Sequence, residues 1–188
     1  MRHIALNRQL QRGITLTETL LVLAVAAALA VAAYAAYSVA RNDGTLSDLS
    51  SGTVTMVEKI RQVWSLSGDY SSVTAVNLSK AGVLPKPFKF DGDNIQDPFG
   101  NNLVINGATT SFAFSFRNLS SENCSKLAPT LASFGYQITV GGDAQASQGR
   151  ASGASLYKSS AGEINTGALI NACGADSASQ RNIAVEIR

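Results

Sequence analysis

The sequence predicts an α+β fold: one long N-terminal helix, its hydrophobic half protruding and its amphipathic half packed on an antiparallel sheet, followed by a C-terminal region bounded by Cys124 and Cys173. Three observations predict it. From Leu20 to Tyr37 the chain carries eighteen consecutive apolar residues without glycine or proline. The segment behind them keeps apolar residues at helical spacing, with polar residues between. Beyond residue 100 the pattern changes to short runs that alternate with period two, the signature of half-buried strands.

The apolar run comes first. At about 1.5 Å per residue it spans roughly 27 Å, close to the hydrocarbon thickness of a bilayer. The preceding "MRHIALNRQLQRG" holds Arg2, Arg8 and Arg12 and no acid, so it stays cytoplasmic and the remainder faces outward. The chain's net charge of +2 belongs to that leader: without residues 1–13 there are 12 basic and 13 acidic residues. Such a balance gives no reason to expect a nucleic-acid partner. Glu18 stands at the edge of the apolar run, where an ionised carboxylate is costly and therefore functional by default.

Two processing schemes fit this N-terminus. A secretory signal would be cut after "YSVA", residues 37–40, and would release a soluble domain starting at Arg41. A cut on the cytoplasmic side, between Gly13 and Ile14, would keep the hydrophobic helix. Glu18 and the length of the run, beyond the roughly 7–15 residues of a secretory apolar region, argue for the second.

The amphipathic half of the helix reads "TVTMVEKIRQVWSLSGDY", with Met56, Val57, Ile60, Val63 and Trp64 on one face, and Gly68 ends it. Gly44 and Gly52 soften its middle, at about 1 kcal/mol each relative to alanine. Residues 67–100 form a long connection with a short helical piece near Val73–Ala81. Asp91, Asp93 and Asp97 in this connection, two and four residues apart, could converge on one calcium ion, but the glycine and glutamate such a loop needs are missing, so they read as solvated turn residues.

Strands are predicted at residues 101–107, around Phe112, Phe114 and Phe116, at 136–140, and at the end of the sequence through Ile183, Val185 and Ile187. A short helix, 120–135, starts at a serine cap and is interrupted by Pro129. The region "GGDAQASQGRASGAS", 141–155, has little means of forming a core, and 141–153 reads as exposed loops that could serve as contact surfaces. In an exported chain the two cysteines are most simply one disulfide, with two buried thiols as the alternative.

Catalysis finds no support. The single histidine, His3, lies in the basic leader, and "SSENCSK" offers no Ser/Lys arrangement, so a secreted hydrolase has no candidate catalytic residues and no cofactor is implied.

The basic leader ending in Gly13, then "ITLTE" with the glutamate fifth, then an apolar helix, together resemble the prepilin signature of type IV pilins. The pieces "DPFG" and "NLSSENCSKL" and the strand after the second cysteine resemble the type IVb subgroup, notably major prepilins of thin conjugative and adhesive pili. The resemblance implies cleavage at Gly13–Ile14 by a prepilin peptidase and N-methylation of Ile14. It implies that Glu18 meets the terminal amine of a neighbouring copy, and that Cys124 and Cys173 bound a disulfide-closed region. The implied organisation is a leader at 1–13, a membrane and assembly helix at 14–40, its amphipathic half at 41–66, a connecting loop at 67–100, and a sheet-bearing head at 101–188 that contains the 124–173 region. The implied partners are further copies of the chain, the inner membrane before assembly, the peptidase and pilus assembly machinery, and a host-cell or recipient-cell receptor. A minor pilin or pseudopilin of a secretion system is the alternative role.

Overall fold

The computed structural model describes residues 16–153, 155–174 and 181–188. Two compact units divide the chain, up to Asn42 and from Asp43 onward. Helix α1, Leu16–Trp64, contributes to both. In the first unit it is the apolar helix, and every described residue from Leu16 to Ala40 is exposed. In the second unit its apolar stripe becomes core: Leu46, Leu49, Met56, Val57, Ile60 and Trp64 are buried in one cluster with the sheet. Val63, expected on the same stripe, is 47% exposed, because Trp64 takes the inward position one turn beyond Ile60. The helix stops two residues short of the expected boundary at 66. Gly68, at a φ of +66° that favours glycine, donates its N–H to the Trp64 carbonyl (3.2 Å) and closes the end.

The glycines of α1 serve different ends. A Cβ on Gly52 would lie 2.5 Å from Pro87 Cγ, so this glycine is where the following segment crosses the helix at close range. A Cβ on Gly44 would meet nothing within 4 Å.

The segment 67–100 is more than a loop. Helix α2, Ala75–Lys80, is capped by Thr74, whose hydroxyl accepts from the Asn77 N–H. Two short strands follow, β1 (Lys89–Phe90) and β2 (Ile95–Gln96), and extend the main sheet. Aspartates turn the chain between these strands. Asp91 Oδ1 accepts from the N–H groups of Asp93 and Asn94, and Asp97 Oδ1 from those of Phe99 and Asn101. Because each strand is two residues long, no alternation was present to reveal it.

The remaining elements are β3 (Asn102–Gly107), β4 (Phe112–Leu119), α3 (Ser121–Ala132), β5 (Gln137–Gly141), β6 (Gln145–Ser147), β7 (Arg150–Ser152), β8 (Ser155–Lys158), α4 (Thr166–Cys173) and β9 (Arg181–Ile187). Seven strands form an antiparallel sheet in the order β1-β2-β3-β4-β9-β5-β8. Phe112, Phe114 and Phe116 of β4, Ile183, Val185 and Ile187 of β9, and Ile138 and Val140 of β5 join the core cluster with α1 and α3.

The expected half-buried strands are buried on both faces, since Ala113, Ser115, Thr139, Asn182, Ala184 and Glu186 are also inaccessible. What covers the second face is the hairpin β6–β7, expected as exposed loops. Its Ala144 and Ala151 pack on Ala184. Side chains of the sheet donate to its backbone carbonyls, Asn106 to Ala146, Gln137 to Ala151 and Thr139 to Ser152, and Asn182 donates to the Gly142 carbonyl in the turn that leads into it. An alanine-rich segment too poor in apolar bulk to bury itself is thus held by hydrogen bonds. Its tight turn places Gln148 and Gly149 at positive φ, the requirement of a hairpin reversal.

Helix α3 also differs from expectation, because Pro129 does not interrupt it. The proline is on the exposed side, where the Ser125 carbonyl left without its helical donor can be hydrated. Lys158 closes the far end of this helix by donating to the carbonyls of Ala132 (2.6 Å) and Gly135 (2.8 Å).

Candidate functional site

The features that sequence reasoning singled out fall into three places. The first is the start of α1. Glu18 occupies the first turn, where a carboxylate is favoured by the unpaired N–H groups and the helix dipole. Beside it the Thr19 hydroxyl donates back to the Leu16 carbonyl (2.8 Å), so this polar group needs no outside partner. From Leu20 onward the surface is apolar on all sides, with Leu21 66% and Val31 70% exposed, and its most hydrophobic window has a mean hydropathy of 2.3. By length and composition α1 can cross a membrane. An apolar surface this continuous has to be covered by lipid or by other protein. Gly13 and Ile14, the expected cleavage and methylation positions, lie outside the described residues.

The second place is the cross-link. Cys124 of α3 and Cys173 of α4 form a disulfide, with Cα atoms 5.6 Å apart and both residues fully buried. The bond is reinforced locally, since the Ser121 hydroxyl donates to the Cys173 carbonyl and Arg181 Nη2 donates to the Gly174 carbonyl (2.9 Å). The alternative of two free thiols is thereby set aside.

The third is the aspartate group. Asp91 is an exposed turn residue, and the N–H groups of Asn94 and then Asp93 hold its carboxyl below the usual range. Asp97 is not the solvated residue expected. It is 4% exposed, burial pushes its pKa up against the opposing backbone hydrogen bonds, and its Oδ2 has no hydrogen-bond partner among the described residues. Among the described residues no group of three or more His, Cys, Asp or Glu side chains is placed to hold a metal ion.

Two further clusters lie outside the features predicted from the sequence. Lys126 bridges Asp43 and Glu122 at 2.7 Å each, and those two hydrogen bonds, Asp43 first, raise its pKa. Arg188 stacks over the Tyr136 ring at 3.8 Å, pairs with the buried Glu186, and accepts from Arg61 Nη2 at its carbonyl. The Lys126–Glu122 part is readable as a four-residue helical spacing; apart from the nearby Arg188–Glu186 pair, the rest joins residues distant in sequence.

A protein-family model described as PilS N terminal matches residues 44–174. The chain belongs to the PilS family. Among solved structures this PilS-family chain is similar to TcpA, a type IV pilin from Vibrio cholerae El Tor biotype, with a TM-score of 0.56 and 15% identity over 77% of this chain and 99% of that one. A type IVb pilin from Salmonella typhi aligns with a TM-score of 0.48 and 11% identity over 76% of this chain and 97% of that one. Among curated proteins none matches the sequence. The long helix packed on an antiparallel sheet, with a disulfide closing the C-terminal region, is the type IV pilin fold. The PilS-family chain is accordingly a type IV pilin, a structural subunit and not an enzyme.

Proposed function

We propose that this pilin is the structural subunit of a type IVb pilus, made as a prepilin and cut by a prepilin peptidase between Gly13 and Ile14, with the new Ile14 amine methylated. The apolar helix holds the subunit in the inner membrane, and the assembly machinery then transfers it into an extracellular fibre used in adhesion, aggregation or conjugative mating. The observation that carries this reading is an apolar helix, exposed throughout in a pilin-family chain, whose one carboxylate sits at its first turn.

Exchange of lipid for neighbouring helices gains little from hydrophobicity, because lipid tails are as apolar as leucine; close packing and charge pairing have to give the direction. The run "AVAAALAVAAYAA" suits close helix approach. Glu18, meeting the terminal amine of another copy, fixes register: a subunit docked one turn away leaves both charges unpaired, at about 3–5 kcal/mol. Release after Ala40 is disfavoured because Ser38 and Ala40 lie within continuous helix, whereas proteases take their substrates extended.

The mass of the mature N-terminus in purified fibres tests the reading. N-methylated Ile14 is expected, and a chain starting at Arg41 overturns it. Glu18→Ala subunits are expected to be made and membrane-held yet poorly incorporated; incorporation equal to wild type removes the charge-pairing role. Abundance in the fibre separates a main subunit from a minor pilin or pseudopilin.

A further inference from the structure

The charge pairing of Glu18 concerns the fibre and leaves open how the carboxylate is accommodated while the subunit waits in lipid. The apolar helix carries two residues that bear on this. Tyr34 and Tyr37 stand at the outward end of the run, three residues apart and therefore neighbours on one helix face. They are 74% and 64% exposed, and neither phenol has a hydrogen-bond partner among the described residues. Each projects from a surface otherwise made of alanines and a valine, "VAAYAAY". The nearby Ser38 differs, because its hydroxyl donates to the Ala35 carbonyl (2.8 Å) and is satisfied within the helix.

A ring that is apolar along its body and polar at its tip, with the tip unpaired, fits a boundary between hydrocarbon and water. The spacing along the helix fits the same boundary. Glu18 precedes Tyr34 by about 24 Å and Tyr37 by about 28 Å at 1.5 Å per residue. A hydrocarbon layer is about 30 Å thick. With the tyrosines at the outer headgroup level, Glu18 comes to the inner one. Arg41, Asn42 and Asp43 then begin immediately outside.

We propose that Tyr34 and Tyr37 form a lipid-interface anchor that sets the depth of the waiting subunit, so that the Glu18 carboxylate lies at the cytoplasmic headgroup boundary and not in hydrocarbon. The partner is the headgroup–hydrocarbon interface of a bilayer. The inference rests on the membrane-held stage of the proposed function and adds a level to it: a helix displaced inward by one turn would submerge Arg41, and one displaced outward would submerge Glu18.

Depth-dependent fluorescence quenching tests this in the full chain reconstituted into phosphatidylethanolamine–phosphatidylglycerol vesicles. The chain has one tryptophan, Trp64, which is buried in the head unit and supplies a constant background measured on wild type. Tyr34→Trp and Tyr37→Trp are expected to be quenched about twofold more by lipids brominated near the headgroup than by lipids brominated near the chain ends, with Ala28→Trp showing the reverse order. A Leu20→Trp probe is expected near the inner headgroups, and adding Tyr34→Ala/Tyr37→Ala is expected to move it toward chain-end quenching. Strongest quenching of positions 34 and 37 by chain-end bromine, or a Leu20→Trp probe unmoved by loss of both tyrosines, overturns the anchor while leaving the membrane-held stage intact. Absence of quenching at all four positions overturns both.

Discussion

Replacing both cysteines, Cys124→Ala/Cys173→Ala, probes how the C-terminal part of the head is held. The bond closes a loop with a sequence separation of 49, for which the chain-entropy relation gives a loss of about 4 kcal/mol at room temperature. Folded domains are stable by about 5–15 kcal/mol, so the loss is a large share of the total. Inside the loop Leu127, Leu131, Ile138 and Val140 reach the main core, but the segment over the second side of the sheet has little apolar bulk to compensate. Between the two cysteines the side chains facing the second side of the sheet are mainly alanines, and the hairpin β6–β7 is tied down by four side-chain-to-carbonyl hydrogen bonds worth about 1 kcal/mol each at most sites. Urea unfolding of the full chain in detergent micelles, followed by Trp64 fluorescence, is a suitable assay, because the indole lies in the head core and donates to the Ser72 hydroxyl at 2.7 Å. The variant is expected to show a midpoint lowered by that stability and a steeper denaturant slope, since its unfolded chain exposes more surface. A loss below about 1 kcal/mol at unchanged slope would refute the reasoning. Packing of α3 and α4 would then hold the region without the covalent link.

The two helix glycines should respond with opposite signs in thermal melts. Gly44→Ala is expected to stabilise by up to about 1 kcal/mol, because its new methyl enters open space in a helix, while Gly52→Ala drives a methyl to 2.5 Å from Pro87 and is expected to cost about 1–3 kcal/mol. Asp97 gives a pH signature. Its pKa is raised in the folded state, so the folded chain holds the proton more tightly than the unfolded chain, and the residue's stability penalty is greatest above the folded pKa and fades as pH falls toward 3.8. Asp97→Asn keeps the Oδ1 acceptor for the Phe99 and Asn101 N–H groups, so it should gain stability at pH 7 and lose that gain in acid. Unfolding at the two pH values checks the sign.

The sequence made visible what depends on long, repeated patterns. The apolar run marks a helix by its length, while the stripe through Met56, Val57 and Ile60 and the alternation of Phe112, Phe114 and Phe116 each commit several residues to one face, and the structure follows them. The signals for Ser120 as a cap and Gly68 as a stop are local chemistry and equally readable. Strands β1 and β2 were not visible because two residues define no period, and they owe their place to pairing with β3 and to the aspartate turns. The hairpin β6–β7 was misread for a related reason: its composition is that of a loop, and it becomes ordered only because Asn106, Gln137, Thr139 and Asn182, remote in sequence, offer donors on the free face of the sheet. Pro129 is tolerated for want of a burial that would penalise it, which no local rule states.

The place of β9 has a consequence for how the head comes into being. Arg181–Ile187, which follows the other described strands along the chain, lies between β4 and β5, and the elements on either side share a continuous sheet only through it. The head therefore cannot be completed by degrees along the chain; its central seam stays open until residues 181–187 pair with both neighbours. Closure of so many distant pairings at once makes maturation slow. During that interval a half-built head exposes unpaired edges on β4 and β5 that can pair with other chains.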